Sequence, residues 1–204
     1  KNIIGSFYQP IKVCIDPNML GTLSDRDIRS GIGEIIKYGM ISDYNIINQL
    51  SQHYNCIIQG KNKDLILDII FQCCSIKKIY IESDETDQGV RNILNFGHTL
   101  GHLIESKYQS DSITHGEAII NGMFLAIELS YSKEIMDVDI YHKIKDICKI
   151  LNVEYNYKLD SNDIENIKYD KKQSYDKHRF ILLKDIGEPI ICDDISKDDI
   201  LSVI

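Results

Sequence analysis

Apolar residues recur at spacings of three and four along most of this chain, and only three prolines interrupt it. That periodicity lines one face of a helix rather than alternating across a strand. It predicts helices over Arg26–Ile41, Asp43–Tyr54, Lys63–Ile81, Asn92–Ser106, Gly116–Tyr131 and Val138–Leu151. The acidic, Asn-rich stretch Asn152–Asp170 reads as a loop with a short helix, and Asp198–Ile204 as a closing helix. Extended structure is confined to the two ends. A β-rich run, Tyr8–Ile15, precedes the breaker Asp16-Pro17, and His178–Lys184 with Pro189–Asp193 reads as a hairpin with Gly187 in its turn. The expected fold is mostly α, with a short N-terminal strand and a small C-terminal hairpin.

The 204 residues suffice for one large or two small domains, and 43% hydrophobic content allows a real core. A net charge of −8 argues against nucleic acid or an anionic membrane surface as partner. It does not exclude a small anionic substrate, because a pocket can be locally basic. No apolar run approaches the roughly 20 residues of a membrane helix, and no signal peptide is visible. Cys14, Cys56, Cys73, Cys74, Cys148 and Cys192 form no C-x-x-C pair, which predicts reduced, buried thiols and a cytoplasmic location. The chain opens on Lys1 rather than Met and reads like the middle of something longer.

Three local patterns could carry chemistry. Arg91, Asn95, His98 and His102 follow at steps of four, three and four, which on one continuous helix makes a single polar stripe. A cation, an amide and two imidazoles are not the Lys and Glu usually used for solvation. His115 lies in Thr114-His-Gly-Glu117, a capping-box pattern with Thr114 as N-cap and Glu117 reaching back. The helix dipole there favours a neutral imidazole, the form a metal binds. Ser30, Glu34 and Lys37 share a face in Ser30-Gly-Ile-Gly-Glu-Ile-Ile-Lys-Tyr-Gly39. An ion pair on a solvated face is the ordinary reading, but Ile32, Ile35, Ile36 and Tyr38 leave little of that helix for solvent. These residues support a divalent metal site with His and Glu ligands beside several cations. Spacing does not choose which histidines or which glutamate.

Gly33-Glu-Ile-Ile-Lys-Tyr-Gly39, Asn95-Phe-Gly-His-Thr-Leu-Gly-His102, His115-Gly-Glu-Ala118 and Asn2-Ile-Ile-Gly-Ser-Phe-Tyr-Gln-Pro10 resemble the signature stretches of the 3-dehydroquinate synthase (sugar-phosphate cyclase) family. Order and spacing agree up to Asp170-Lys-Lys172 and the Phe180–Ile186 strand. The resemblance implies the helical C-terminal domain of a two-domain α/β plus α fold, with residues 1–23 a segment from the side of the NAD domain and 24–204 the metal- and substrate-binding domain. It implies zinc (or cobalt) on Glu34, His98 and His115. Lys37 and His102 then become catalytic, with His102 an acid/base or phosphate contact rather than a ligand. Asn2, Lys77, Arg91, Asn95 and Lys171 or Lys172 become substrate contacts. Lys1, Met19, Leu20, Gly21, Thr22 and Ser30 fall where the family meets its nicotinamide cofactor.

The implied activity is that of a phosphorus–oxygen lyase of the shikimate pathway. It converts 3-deoxy-D-arabino-heptulosonate 7-phosphate into 3-dehydroquinate through transient oxidation by NAD⁺, phosphate elimination, re-reduction and aldol closure. The family is usually dimeric. No G-x-G-x-x-G occurs in these residues, so the NAD domain is expected elsewhere and the chain alone is expected to be inactive. Rival expectations are a related cyclase such as 2-deoxy-scyllo-inosose synthase, a dehydrogenase of the same architecture, or a non-catalytic helical module with a structural metal.

Overall fold

A computed structural model describes residues 8, 10–108, 112–151, 156–165 and 179–204. A 3₁₀ helix, Pro17–Thr22, leads into α1 (Asp25–Ile41), α2 (Tyr44–Ile58) and α3 (Lys63–Ser83). A second 3₁₀ helix, Val90–Asn95, precedes α4 (His98–Tyr108), α5 (His115–Ser132), α6 (Val138–Ile150) and the short α7 (Ser161–Glu165). An antiparallel hairpin, β1 (Phe180–Asp185) and β2 (Glu188–Cys192), and a final turn of helix, α8 (Lys197–Leu201), complete it.

Side-chain caps start these helices where the sequence places them. Ser24 and Thr114 each form a complete capping box, with Asp27 and Glu117 as the reciprocal partners. The core runs through Leu50, Phe96, Leu100, Ile104 and Ile119, all essentially inaccessible. α5 is the axis of the fold and is buried along most of its length. It packs on α1, α4 and β1. Ser130 near its end accepts the Leu183 N–H of β1 at 3.1 Å. Gly187, at φ +85°, turns the hairpin and donates to the Met40 carbonyl of α1 at 2.8 Å.

Two glycine contacts set how closely the helices approach. A Cβ on Gly33 of α1 would lie 2.8 Å from the Gly116 carbonyl of α5, and one on Gly116 would collide with the Ser30 carbonyl. A Cβ on Gly122 of α5 would strike the backbone at Gly97 and Gly101. The backbones of α1, α4 and α5 therefore touch directly, with no side chains between them at the crossings.

Three expectations are corrected. The described residues of Tyr8–Ile15 form no strand. Ile11, Val13 and Ile15 stand exposed, and among the described residues the sheet consists of β1 and β2 alone. A β-rich run without a neighbouring edge cannot satisfy its backbone groups as a strand. The helix expected over Asn92–Ser106 is broken at Phe96-Gly97, where Gly97 takes φ +77°. Apolar spacing persists through a 3₁₀ turn and so hides the break. Finally, Cys73, Cys148 and Cys192 are buried thiols, whereas Cys14, Cys56 and Cys74 are exposed, although all six are free. The other helices match within a few residues. His178 at the expected start of the hairpin, and much of Asn152–Asp170, lie outside the described residues.

Candidate metal centre

Each helix of the close-packed trio offers one side chain to a common point. Glu34 sits one residue beyond Gly33, where α1 crosses α5. His98 is the first residue of α4, directly after the Gly97 turn, and His115 is the first residue of α5, directly after its Thr114 cap. Glu34 Oε1 lies 3.4 Å from His98 Nε2 and 3.8 Å from His115 Nε2. One ligand atom from each residue falls within 4.8 Å of the others.

The remaining polar atoms of the trio are already engaged. His98 Nδ1 meets the Phe96 carbonyl at 3.1 Å. A carbonyl can only accept, so Nδ1 carries a proton, and Nε2, which would bear the lone pair of a neutral ring, is the nitrogen turned toward Glu34. Glu34 Oε2 accepts from Lys37 Nζ at 2.6 Å. Among the described residues, Glu34 Oε1 is the one buried side-chain polar atom without a hydrogen-bond partner. With both rings neutral and protonated on Nδ1, a carboxylate lone pair and two imidazole lone pairs face one another across 3.4 to 3.8 Å, a contact that a cation among them, or a proton on one Nε2, makes attractive. The donor set of one carboxylate and two imidazoles suits Zn²⁺ and leaves positions open for substrate or water. The residues fit a catalytic divalent metal.

Lys37 is only 4% exposed. Burial lowers its pKa, against the opposing pull of Glu34, and the nearby Lys77 charge lowers it further. Burial alone would raise the Glu34 carboxyl, but hydrogen bonding and charge from a protonated His98 Nε2, together with the Lys37 ammonium, outweigh it and hold it at about 2. Glu34 therefore stays anionic, as a ligand must.

The sequence-predicted residues distribute unevenly around this centre. His102 lies one turn after His98, with ring centroids 5.5 Å from His98 and 6.0 Å from His115. Arg91 and Asn95 sit on the 3₁₀ helix before the Gly97 break, so the stripe they were expected to share with His98 and His102 does not exist as one helix. Arg91 donates to the Glu85 carbonyl at 2.9 Å and lies 4.0 Å from Asp87. Asn95 and Lys77 are exposed. Met19, Leu20, Gly21 and Thr22 lie on the first 3₁₀ helix, and Ser30 Oγ accepts the Gly116 N–H at 3.0 Å within the α1–α5 crossing. Lys1, Asn2, Lys171 and Lys172 lie outside the described residues. Glu117 is a cap, as expected, and pairs with Arg26 at 3.0 Å.

One neighbour escaped the sequence reading. Glu105 Oε2 lies 3.5 Å from His115 Nδ1. Its spacing was a usable signal, since it follows His98 by seven residues and His102 by three on one helix face. A cleft of about 640 Å³ lined by Tyr131, Met136 and Val138 lies at the other end of α5, about 25 Å from the trio at 1.5 Å per residue, and belongs to no part of this site.

The fold is shared with sugar-phosphate cyclases. It superimposes on 2-epi-5-epi-valiolone synthase from Streptomyces hygroscopicus, solved with NAD⁺ and Zn²⁺, with a TM-score of 0.86 at 20% identity over 100% of this chain and 57% of that one. A 2-deoxy-scyllo-inosose synthase, solved with carbaglucose-6-phosphate, NAD⁺ and Co²⁺, gives 0.80 at 26% identity over the same shares. Residues 31–173 match the family model described as 3-dehydroquinate synthase C-terminal. The chain belongs to the 3-dehydroquinate synthase family. The 3-dehydroquinate synthase of Clostridium tetani is 41% identical over 100% of this chain and 54% of its own length; that of Dictyoglomus turgidum is 38% identical over 100% and 58%. The chain thus spans about half the length of the curated relatives it matches.

Proposed function

We propose that the protein is a 3-dehydroquinate synthase, a lyase that turns 3-deoxy-D-arabino-heptulosonate 7-phosphate into 3-dehydroquinate and phosphate, and that this chain supplies its metal and much of its substrate site. The observation that carries the proposal is the unpartnered Glu34 Oε1 facing two Nε2 atoms whose rings are otherwise satisfied. Relatives about 40% identical bear that enzyme's name, and solved neighbours hold NAD⁺ with Zn²⁺ or Co²⁺.

In this reading Glu34, His98 and His115 hold Zn²⁺ or Co²⁺, which when bound polarises the hydroxyl being oxidised. NAD⁺, contacted by Lys1, Met19, Leu20, Gly21, Thr22 and Ser30 and otherwise bound outside residues 24–204, supplies reversible hydride transfer. Lys37 stands against the metal-facing carboxylate. Its lowered pKa makes its neutral amine more available than that of a surface lysine, so it can accept the hydroxyl proton that leaves on oxidation. His102 is the acid/base beside the leaving phosphate, which Asn95 and Lys171 or Lys172 also contact. Lys77 and Arg91 neutralise the substrate carboxylate, Arg91 with a planar fork suited to a bidentate grip, and Asn2 adds a further contact. The protein acts as a homodimer on this small anionic substrate.

The test is phosphate release by the full-length protein with NAD⁺ and Zn²⁺. Turnover of the heptulosonate phosphate, with glucose 6-phosphate inert, is expected. Preference for glucose 6-phosphate, which has no carboxylate for Lys77 and Arg91, would move the protein to an inosose-forming cyclase. Inertness toward both would overturn the proposal.

A further inference from the structure

We infer that Glu105 is a positioning residue of this centre: its carboxylate fixes which nitrogen of His115 carries the proton and so aims the other at the metal position. The inference rests on the metal reading of Glu34, His98 and His115.

The His115 ring lies between two carboxylates, one at each nitrogen. Nε2 is 3.8 Å from Glu34 Oε1, and Nδ1 is 3.5 Å from Glu105 Oε2. Glu105 as an anion can only accept, so when the ring beside it is neutral its proton sits on Nδ1 and its lone pair on Nε2. His98 is oriented in the same sense by the Phe96 carbonyl. The two ligand histidines thus have Nδ1 anchors of different charge. The charged anchor serves the ring that needs it more, since the His115 side chain is 40% exposed against 16% for His98. An imidazole donating to a carboxylate is a more basic ligand than one donating to a carbonyl. Glu105 also joins two helices at the site. It extends from α4, which provides His98, to a ligand on α5, across the crossing that Gly101 and Gly122 keep close.

His102, Glu105 and His115 also converge closely enough to hold a cation of their own. Glu105 lies nearest Nδ1 of His115 and Glu34 nearest Nε2, so that alternative would draw on Nδ1 and the Glu34 site on Nε2. A neutral ring has one lone pair, so the two arrangements compete for it.

The test uses the full-length protein with Glu105→Ala, Glu105→Gln and His98→Ala. Zn²⁺ affinity is read by chelator competition, metal stoichiometry directly, and the His115 tautomer of the metal-free protein by ¹⁵N NMR. Glu105→Ala should weaken Zn²⁺ binding about 10- to 100-fold and release His115 from a single Nδ1–H tautomer, with the folded state retained. Glu105→Gln, whose amide oxygen still accepts, should lose less. Unchanged affinity and tautomer in Glu105→Ala, with His98→Ala devoid of metal, would overturn the role of Glu105 alone. Two ions per chain, one of them lost in Glu105→Ala, would overturn it in favour of the second site. Full Zn²⁺ binding by His98→Ala would overturn the metal reading beneath it.

Discussion

Glu34 has two duties that a double substitution separates. One oxygen faces the histidines and the other is the acceptor for Lys37, an ammonium 4% exposed with its partner at 2.6 Å. Glu34→Ala therefore removes a proposed metal ligand and also strands a buried cation. Breaking a buried pair by deleting one partner costs about 3–5 kcal/mol. The cost has a ceiling, because Lys37 can shed its proton instead, and at pH 7 that costs an ordinary lysine no more than about 5 kcal/mol. The Glu34 side is 33% exposed, so water can enter and the lower end applies: about 3 kcal/mol, measured as a fall in the urea midpoint of metal-free protein. Glu34→Ala/Lys37→Met replaces the pair with apolar volume and should recover most of that loss, because such replacements are near neutral. It should not recover metal binding. A metal-free Glu34→Ala protein as stable as wild type would refute the argument, since Lys37 would then not depend on Glu34.

Gly116→Ala puts a Cβ into the Ser30 carbonyl. Backbone cannot step aside as a side chain can, so about 1–3 kcal/mol of stability should go, and Zn²⁺ affinity should fall with it as α1 and α5 part; a normal melting midpoint would contradict this. Asp199 accepts from the Ser196 hydroxyl at 2.7 Å, the Ser196 N–H at 2.8 Å and Lys133 at 3.0 Å, which together hold its carboxyl at about 2. A lowered carboxylate stabilises the folded state above its unfolded value of about 3.9 and loses that contribution as pH falls through the folded value. Asp199→Asn should therefore cost about 1 kcal/mol at neutral pH, as a lost cap does, and flatten the stability profile between about pH 4 and about pH 2; an unaltered acid profile would refute it.

The helices were legible because their apolar spacing and caps agree. Thr114 and Glu117 marked the start of α5, and with it the position of His115. Pieces of the site were legible too, as an acid and several imidazoles among unusual glycines. Their joining was not. Gly33, Gly116 and Gly122 act through the backbone they let approach, and a linear sequence does not say which backbone that is. The Arg91–His102 stripe misled for a related reason: steps of four, three and four assume an unbroken helix, and the turn at Gly97 separates the 3₁₀ helix of Arg91 and Asn95 from the α-helix of His98 and His102. Tyr8–Ile15 has strand composition but no edge to pair with among the described residues. The choice of Glu34, His98 and His115 came from family resemblance, and the geometry brings those three side chains together.

Anomalous diffraction at the zinc edge from crystals of the full-length protein grown with Zn²⁺ tests the central claim most directly. One strong peak is predicted among Glu34 Oε1, His98 Nε2 and His115 Nε2, with no sulfur ligand, and it should vanish in His98→Ala. A peak held by other residues, or one undiminished in His98→Ala, would contradict the account.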